Sequence, residues 1–112
     1  MTVEVELDIF SGRPNPRWLL EPRLEAQLFE RMNSLPLAPQ SSFQEPPGLG
    51  YRGFLLRIGN KVSEEPIRVY GGAVRTDDEI RKDPLRRMEN WLLETAVALD
   101  NGLYDAIKGE MS

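Results

Sequence analysis

The chain has 112 residues, a formal net charge of −4 at pH 7, and neither cysteine nor histidine. This length predicts one globular domain, residues 1–112, which can bury one hydrophobic core without disulfides. Without cysteine or histidine, the chain cannot carry a disulfide, an imidazole or thiolate metal site, or a Ser-His-Asp triad. The acidic balance argues against a nucleic-acid partner. We therefore expect neither a metal site nor nucleic-acid binding.

The hydropathy pattern favours a soluble protein of the cytoplasm. No apolar run approaches the length of a membrane span. The N-terminal segment, residues 1–10, alternates acidic and apolar residues and does not resemble a signal peptide. We predict a cytoplasmic location and no membrane partner.

The first strand is predicted from Val3 to Ile9, where apolar residues alternate with three acids. This period of two is typical of a strand with one buried face. The segment SGRPNP, residues 11–16, follows it. Pro14 and Pro16 fix their own φ angles and restrict the residues before them, so we expect a stiff loop.

The first helix is predicted over residues 21–35. Leu24, Leu28 and Met32 form an apolar stripe at helical spacing, and Pro22 suits the first turn. Residues 35–50 are rich in proline and lack periodicity, so we expect a loop. A loop of this length in a compact domain indicates either order imposed by packing or a functional role.

Two further strands are predicted, over residues 51–59 and 67–75, with a polar connection over residues 60–66. The pair Gly71–Gly72 allows two interpretations of the second of these strands. We favour one continuous strand with a bend at the glycines. The alternative is a two-residue Gly-Gly hairpin turn that divides the segment into two short strands.

The C-terminal third is predicted to be mainly helical. Thr76 and Glu79 match a capping box, which predicts a short helical turn. Asp83 suits an N-cap and Pro84 a first helical position, so the main helix is expected from there to about residue 100. The dipeptide Asn101–Gly102 indicates its C-terminal end.

These elements predict an α+β fold in the order β-α-β-β-α. We expect a single two-layer domain in which three to four mainly antiparallel strands pack against two amphipathic helices. The strand order does not follow from the sequence.

Gly48, Gly50 and Gly53 match G-x-G-x-x-G, the glycine spacing of phosphate-binding loops. In a dinucleotide-binding unit this spacing follows a strand and opens a helix. Here a loop precedes it and a predicted strand follows it. We therefore expect no nucleotide cofactor, and we interpret the glycines as a tight entry into the strand with close packing at Gly53.

Five residues in two stiff loops are the candidate binding residues: Arg13, Asn15, Trp18, Tyr51 and Arg52. A pre-ordered loop lowers the entropy cost of binding, and tryptophan and arginine are favoured anchors at interfaces. The alternative interpretation of the first loop is a rigid connection with Trp18 packed in the core. We predict that residues 11–18 and 46–53 lie together at one edge of the sheet and contact a protein partner.

The sequence contains no recognisable catalytic motif, which favours a non-catalytic interaction domain. Two alternative functions and one question of charge pairing stay open. In one alternative, Arg13, Tyr51 and Arg52 bind a small anionic ligand and Asp8 acts as a base. In another, the chain forms homo-oligomers through an edge strand. The question of charge pairing concerns Arg57 and Arg68, which either converge on an anion or pair with the acids of the first strand. We favour this pairing.

Overall fold

The structure is a computed structural model that describes residues 2–59, 65–97 and 99–111. Most of the predicted polar connection, residues 60–64, lies outside these ranges. Within them the chain forms seven strands and three α-helices. In chain order these are β1 (Val3–Leu7), β2 (Arg17–Leu19), α1 (Pro22–Ser34), β3 (Leu37–Ala38), β4 (Phe54–Ile58), β5 (Ile67–Tyr70), β6 (Ala73–Arg75), β7 (Ile80–Lys82), α2 (Arg87–Glu94) and α3 (Asn101–Glu110).

The seven described strands form one antiparallel sheet in the order β2-β1-β4-β5-β6-β7-β3. The predicted α+β class stands, but the predicted architecture of three to four strands and two helices is wrong. The additional strands β2, β3 and β7 are two or three residues long. Such short segments show too little alternation to be predicted.

One face of the sheet carries the hydrophobic core. Val5 of β1 pairs with Leu56 of β4, and both are buried in that core. The helices cover this face, and each contributes to the core a side chain with no exposed surface: Leu28, Leu92 and Ile107. The alternate residues of β1, Glu4 and Glu6, therefore lie on the opposite face, which carries charged side chains.

The predicted continuous strand over residues 67–75 is wrong, because Gly71 and Gly72 form a hairpin turn between β5 and β6. Tyr70 pairs with Ala73 across this turn. Gly71 and Gly72 have φ angles of 64° and 87°. Two successive positive φ angles suit the tight turn of a hairpin and favour glycine at both positions.

The predicted helical turn at Thr76 is also wrong, although the Thr76 side chain does bond to the Glu79 backbone. The Thr76 backbone N–H donates to the Glu79 carbonyl at 3.0 Å. The Thr76 hydroxyl oxygen accepts from the Glu79 N–H at 3.2 Å. These bonds close a turn between β6 and β7, because Ile80 pairs with Arg75 across it.

The predicted helix from Pro84 to about residue 100 is two helices. α2 ends at Glu94, and α3 begins after Asp100, whose side chain accepts the Leu103 N–H at 3.1 Å. The dipeptide Asn101–Gly102 therefore starts a helix instead of ending one. None of the helices in the described ranges is long and apolar enough to cross a membrane.

The predicted N-cap at Asp83, with Pro84 as the first helical residue, is wrong, because α2 begins at Arg87 and its N-cap is Arg86. The Asp83 side chain nevertheless bonds to the first turn of α2. Its carboxylate accepts the N–H groups of Met88 at 2.8 Å and Glu89 at 3.1 Å. The turn Pro84–Arg86 separates Asp83 from the helix, and Leu85 and Arg86 have positive φ angles of 59° and 54°. Burial raises the pKa of Asp83, although the two N–H donors oppose this effect.

The predicted loop over residues 35–50 contains β3 and a short 3₁₀ turn at Gln40–Ser42. Its second half packs on the charged face of the sheet. The Arg75 guanidinium lies 4.6 Å from the centre of the Phe43 ring and 3.1 Å from the Glu45 carboxylate. These two contacts hold residues 43–45 against β6, whereas residues 47–50 are exposed.

Candidate functional site

Two loops meet at the end of β1 and the start of β4. The Asp8 N–H donates to the Gly53 carbonyl at 2.9 Å, and the Arg52 N–H donates to the Asp8 carbonyl at 2.8 Å. The second loop is therefore bonded to Asp8, which precedes the first loop in the chain; a shared contact surface of residues 11–18 and 46–53 stays a prediction. We call the surface formed by residues 9–16 and 46–52 the loop edge.

Asn15 holds the first of these loops in place. Its side-chain oxygen accepts the N–H groups of Ile9 at 3.1 Å and Phe10 at 2.7 Å. Its side-chain NH₂ donates to Glu6 at 2.7 Å and to Asp8 at 3.4 Å. Four hydrogen bonds from one amide make Asn15 an internal support of the loop instead of a residue offered to a partner.

The arginines of the central strands pair with the acids of β1, as predicted. Arg57 donates to Glu6 at 2.5 Å, and Arg68 donates to Asp8 at 2.9 Å. Arg68 also donates to the Arg52 carbonyl at 2.6 Å, which ties β5 to the second loop. Because each of these guanidinium groups already faces a carboxylate, they form a paired network and not an open anion clamp.

Glu6 is a buried acid that this network keeps ionised. Burial of its carboxyl group opposes ionisation, whereas hydrogen bonds from Asn15 and Arg57 favour it. The charge of Arg17, 3.4 Å away, adds to them. As a result, the pKa of Glu6 lies below its ordinary value of 4.5.

Two of the candidate residues, Trp18 and Tyr51, are part of the core, with exposures of 5% and 6%. The Trp18 indole N–H donates to the Thr95 hydroxyl at 3.0 Å, and its ring meets Phe54 edge-on. Trp18 therefore follows the alternative interpretation of a packed residue after a rigid connection. Its position in β2 explains this, since Trp18 pairs with core-facing Val5.

Tyr51 is turned inward by a hydrogen bond from its hydroxyl to the Glu89 carboxylate, which is fully buried. Burial and the neighbouring negative charge of Glu89 raise the pKa of Tyr51 well above its ordinary value. Arg86 donates to the same carboxylate at 2.8 and 2.7 Å. Tyr51 therefore joins the second loop to α2 and is not positioned to hold a ligand.

The exposed part of the loop edge consists of Arg13, Leu49 and the flanking proline and glycine residues. The Arg13 guanidinium lies 3.7 Å from the centre of the Phe10 ring, which gives its long side chain a defined support. Leu49 is 76% exposed, although it is a large apolar residue. Leu49 is not among the five candidate residues predicted from the sequence, although its position between two glycines of a loop indicates exposure.

Gly50 and Gly53 of the G-x-G-x-x-G motif are needed for the conformation and packing of the backbone. Gly53 has a φ angle of 89°, and a Cβ atom there would lie 2.3 Å from the Val69 carbonyl oxygen. This close approach supports the interpretation of Gly53 as the site of tight packing. Gly50 has a φ angle of 84° in open space, so it shapes the turn alone.

Within the described ranges, no three acidic side chains converge in a way that would hold a metal ion. Comparison of the chain with protein-family models, with curated proteins and with solved structures finds no match. A functional assignment therefore rests on the geometry of the described residues.

Proposed function

We propose that this chain is a small non-catalytic binding domain that contacts a protein partner through the loop edge. The observation that supports the proposal is the hydrogen bonding of both loops to Asp8, which holds the two segments to one buried residue. An ordered surface loses little conformational entropy on binding.

The exposed residues of the loop edge suit a protein partner. Arg13 offers a supported positive charge, and arginine is enriched among residues that dominate binding energy. Leu49 offers an apolar contact whose burial would contribute about 1.5–3 kcal/mol. We therefore expect the partner to present an acidic side chain to Arg13 and an apolar contact to Leu49.

The structure gives less support to the anionic-ligand alternative. Asp8, the proposed base, is buried and accepts a hydrogen bond from Arg68 at 2.9 Å. Arg52, a proposed ligand-binding residue, lies 3.8 Å from the same carboxylate. The Asp8 carboxylate is thus already occupied by Arg68 and faces Arg52, and Tyr51 is buried in the core.

One observation favours the alternative in which the chain forms homo-oligomers through an edge strand. β2 is an outer strand of the sheet, and Leu19 at its end is largely exposed. Light scattering separates this alternative from the main proposal: a dimer that the substitution Leu19→Lys returns to monomers would favour edge pairing. The cytoplasmic location and the absence of catalysis stay predictions from the composition.

The proposal is tested by affinity capture with quantitative mass spectrometry, followed by titration of the purified partner. The test variant is Arg13→Ala/Leu49→Ser, and the matched control is Arg23→Ala/Val97→Ser, which changes an exposed arginine and an exposed aliphatic residue elsewhere. We expect the test variant to weaken the partner's affinity at least about tenfold and the control to leave it unchanged. Equal affinity of wild type and test variant would refute the proposal.

A further inference from the structure

A separate cavity of about 260 Å³ lies where the end of α1 meets the start of α2. Leu35, Pro36, Pro84 and Met88 form its apolar lining, and Arg31 and Arg87 contribute two positive charges. None of these residues belongs to the loop edge. The volume lies just under the range of about 300–1,000 Å³ typical of ligand sites, so it suits one small group.

Both arginines are available to a ligand. Neither guanidinium forms an ion pair with any residue in the described ranges. The Arg31 guanidinium lies 4.8 Å from the centre of the Trp91 ring, and this stacking restricts its orientation. A planar guanidinium fork binds a carboxylate in a bidentate manner.

The acid that lines the cavity does not compete for these arginines. Asp83 is 1% exposed, and its two oxygens accept the N–H groups of Met88 and Glu89. Its carboxylate is therefore directed at the start of α2. Two arginines against one internally bonded carboxylate leave a site with net positive charge.

We infer that this cavity binds a short aliphatic carboxylate, with Arg31 and Arg87 holding the carboxylate and Leu35 and Met88 contacting the aliphatic part. This chemistry has two sources: a free small carboxylic acid and the C-terminal residue of a peptide. A second cavity of about 300 Å³ is also lined by Arg31 and Ser34, together with Gln27 and Glu30 of α1. It provides room for the residues that precede a peptide C-terminus.

The test is an NMR titration of the full chain with two probes, 4-methylpentanoate and a tetrapeptide of three alanines and a C-terminal leucine. The corresponding amide of each probe is the chemical control. We expect at least one of the two carboxylate probes to shift the backbone N–H signals of the cavity residues. The amide form of each probe should cause no shift. Binding of the peptide alone identifies a chain terminus as the source, and binding of the free acid alone identifies a small metabolite-like acid.

Three variants define the site. Arg87→Gln should lower the affinity of the probe at least about tenfold. Arg23 is an exposed arginine of α1 outside the cavity, so Arg23→Gln should leave the affinity unchanged. Ser34→Phe should block the cavity while both arginines remain. No binding by either probe with a Kd below about 10 mM would overturn the inference. An equal loss in Arg87→Gln and Arg23→Gln, or equal binding of the amides, would overturn it as well.

Discussion

Arg52 and Asp8 are joined twice: the Arg52 N–H donates to the Asp8 carbonyl at 2.8 Å, and its guanidinium lies 3.8 Å from the Asp8 carboxylate. The first contact joins the backbones of the two loops, and the second aligns their side chains. The Asp8 carboxylate also accepts hydrogen bonds from Asn15 and Arg68. One buried acid therefore connects both loops and the strand β5. This arrangement explains why a sheet face rich in charges presents an ordered surface.

Removal of the Asn15 side chain should loosen the first loop. In Asn15→Ala, the N–H groups of Ile9 and Phe10 lose their acceptor, so we expect the free energy of unfolding to fall by about 1–3 kcal/mol. Denaturant unfolding measures this loss, and hydrogen exchange should quicken at both amides. Asn33→Ala, an exposed site on α1, is the control and should change stability by less than about 0.5 kcal/mol. Similar losses in both variants would contradict the supporting role of Asn15.

The buried carboxylate of Glu89 should be far more important for stability than an exposed one on the same helix. Glu89→Ala leaves Arg86, the Tyr51 hydroxyl and the Gly71 N–H without their acceptor, so we expect a loss of about 3 kcal/mol. Glu94→Ala, at an exposed site on α2, should cost less than about 1 kcal/mol. Chemical denaturation compares the two, and equal losses would show that the Glu89 cluster is not a stabilising link.

The strained turn before α2 should be improved by glycine. Leu85 has a φ angle of 59° and is 78% exposed, so its side chain gains little from packing while its backbone is strained. We expect Leu85→Gly to raise the free energy of unfolding by about 0.5 kcal/mol, since relief of strain exceeds the entropy cost of glycine. Leu37→Gly, at an exposed strand position without a positive φ, should lower it by about 0.5–1 kcal/mol. A loss of stability in Leu85→Gly would contradict the claim that the backbone at Leu85 is strained.

Acid should destabilise the fold partly through Glu6. The pKa of Glu6 is lower in the folded chain than its ordinary value of 4.5, so the unfolded chain takes up a proton first as the pH falls. The stability from ionised Glu6 is therefore present above pH 4.5 and is lost as the pH falls through the lower folded pKa. Glu6→Gln should reduce the slope of unfolding free energy against pH in this window. Glu30→Gln, an exposed site on α1, is the control; a slope unchanged by Glu6→Gln would contradict this linkage.

Elements with a strong period were predictable from the sequence. The alternation after Val3 gave β1, and the stripe of Leu24, Leu28 and Met32 gave α1 within one residue of its observed ends. The same acids that marked the polar face of β1 correctly indicated the pairing with Arg57 and Arg68. Period, and the charge pattern that accompanies it, are local properties of the chain.

The remaining elements depend on contacts that local patterns do not report. β3 exists because Leu37 and Ala38 pair with β7, more than forty residues later in the chain. The Thr76 hydroxyl accepts the Glu79 N–H in this hairpin turn, as it would in a capping box, so the pattern T-x-x-E alone does not distinguish the two. α2 stops near Thr95, whose hydroxyl donates to the Leu92 carbonyl and accepts from Trp18 in a distant strand.

The sequence predicts two stiff loops, but it does not predict which of their side chains are exposed. Pro14 and Pro16 identified the stiff loop, and the glycines identified its neighbour. Whether an aromatic residue beside such a loop faces inward depends on register, and Trp18 faces the core because it pairs with Val5. Tyr51 faces inward because Glu89 offers a buried acceptor, which no local pattern near Tyr51 indicates.

The central claim, that the loop edge contacts a protein partner, is tested most directly by site-specific photo-crosslinking. Leu49 and Val97 are 76% and 69% exposed, so each can be replaced by p-benzoyl-phenylalanine with little disturbance of the core. We predict that the probe at position 49 gives a covalent adduct with one partner and that Arg13→Ala reduces its yield. A partner that crosslinks equally from position 97, or only from there, would contradict the claim.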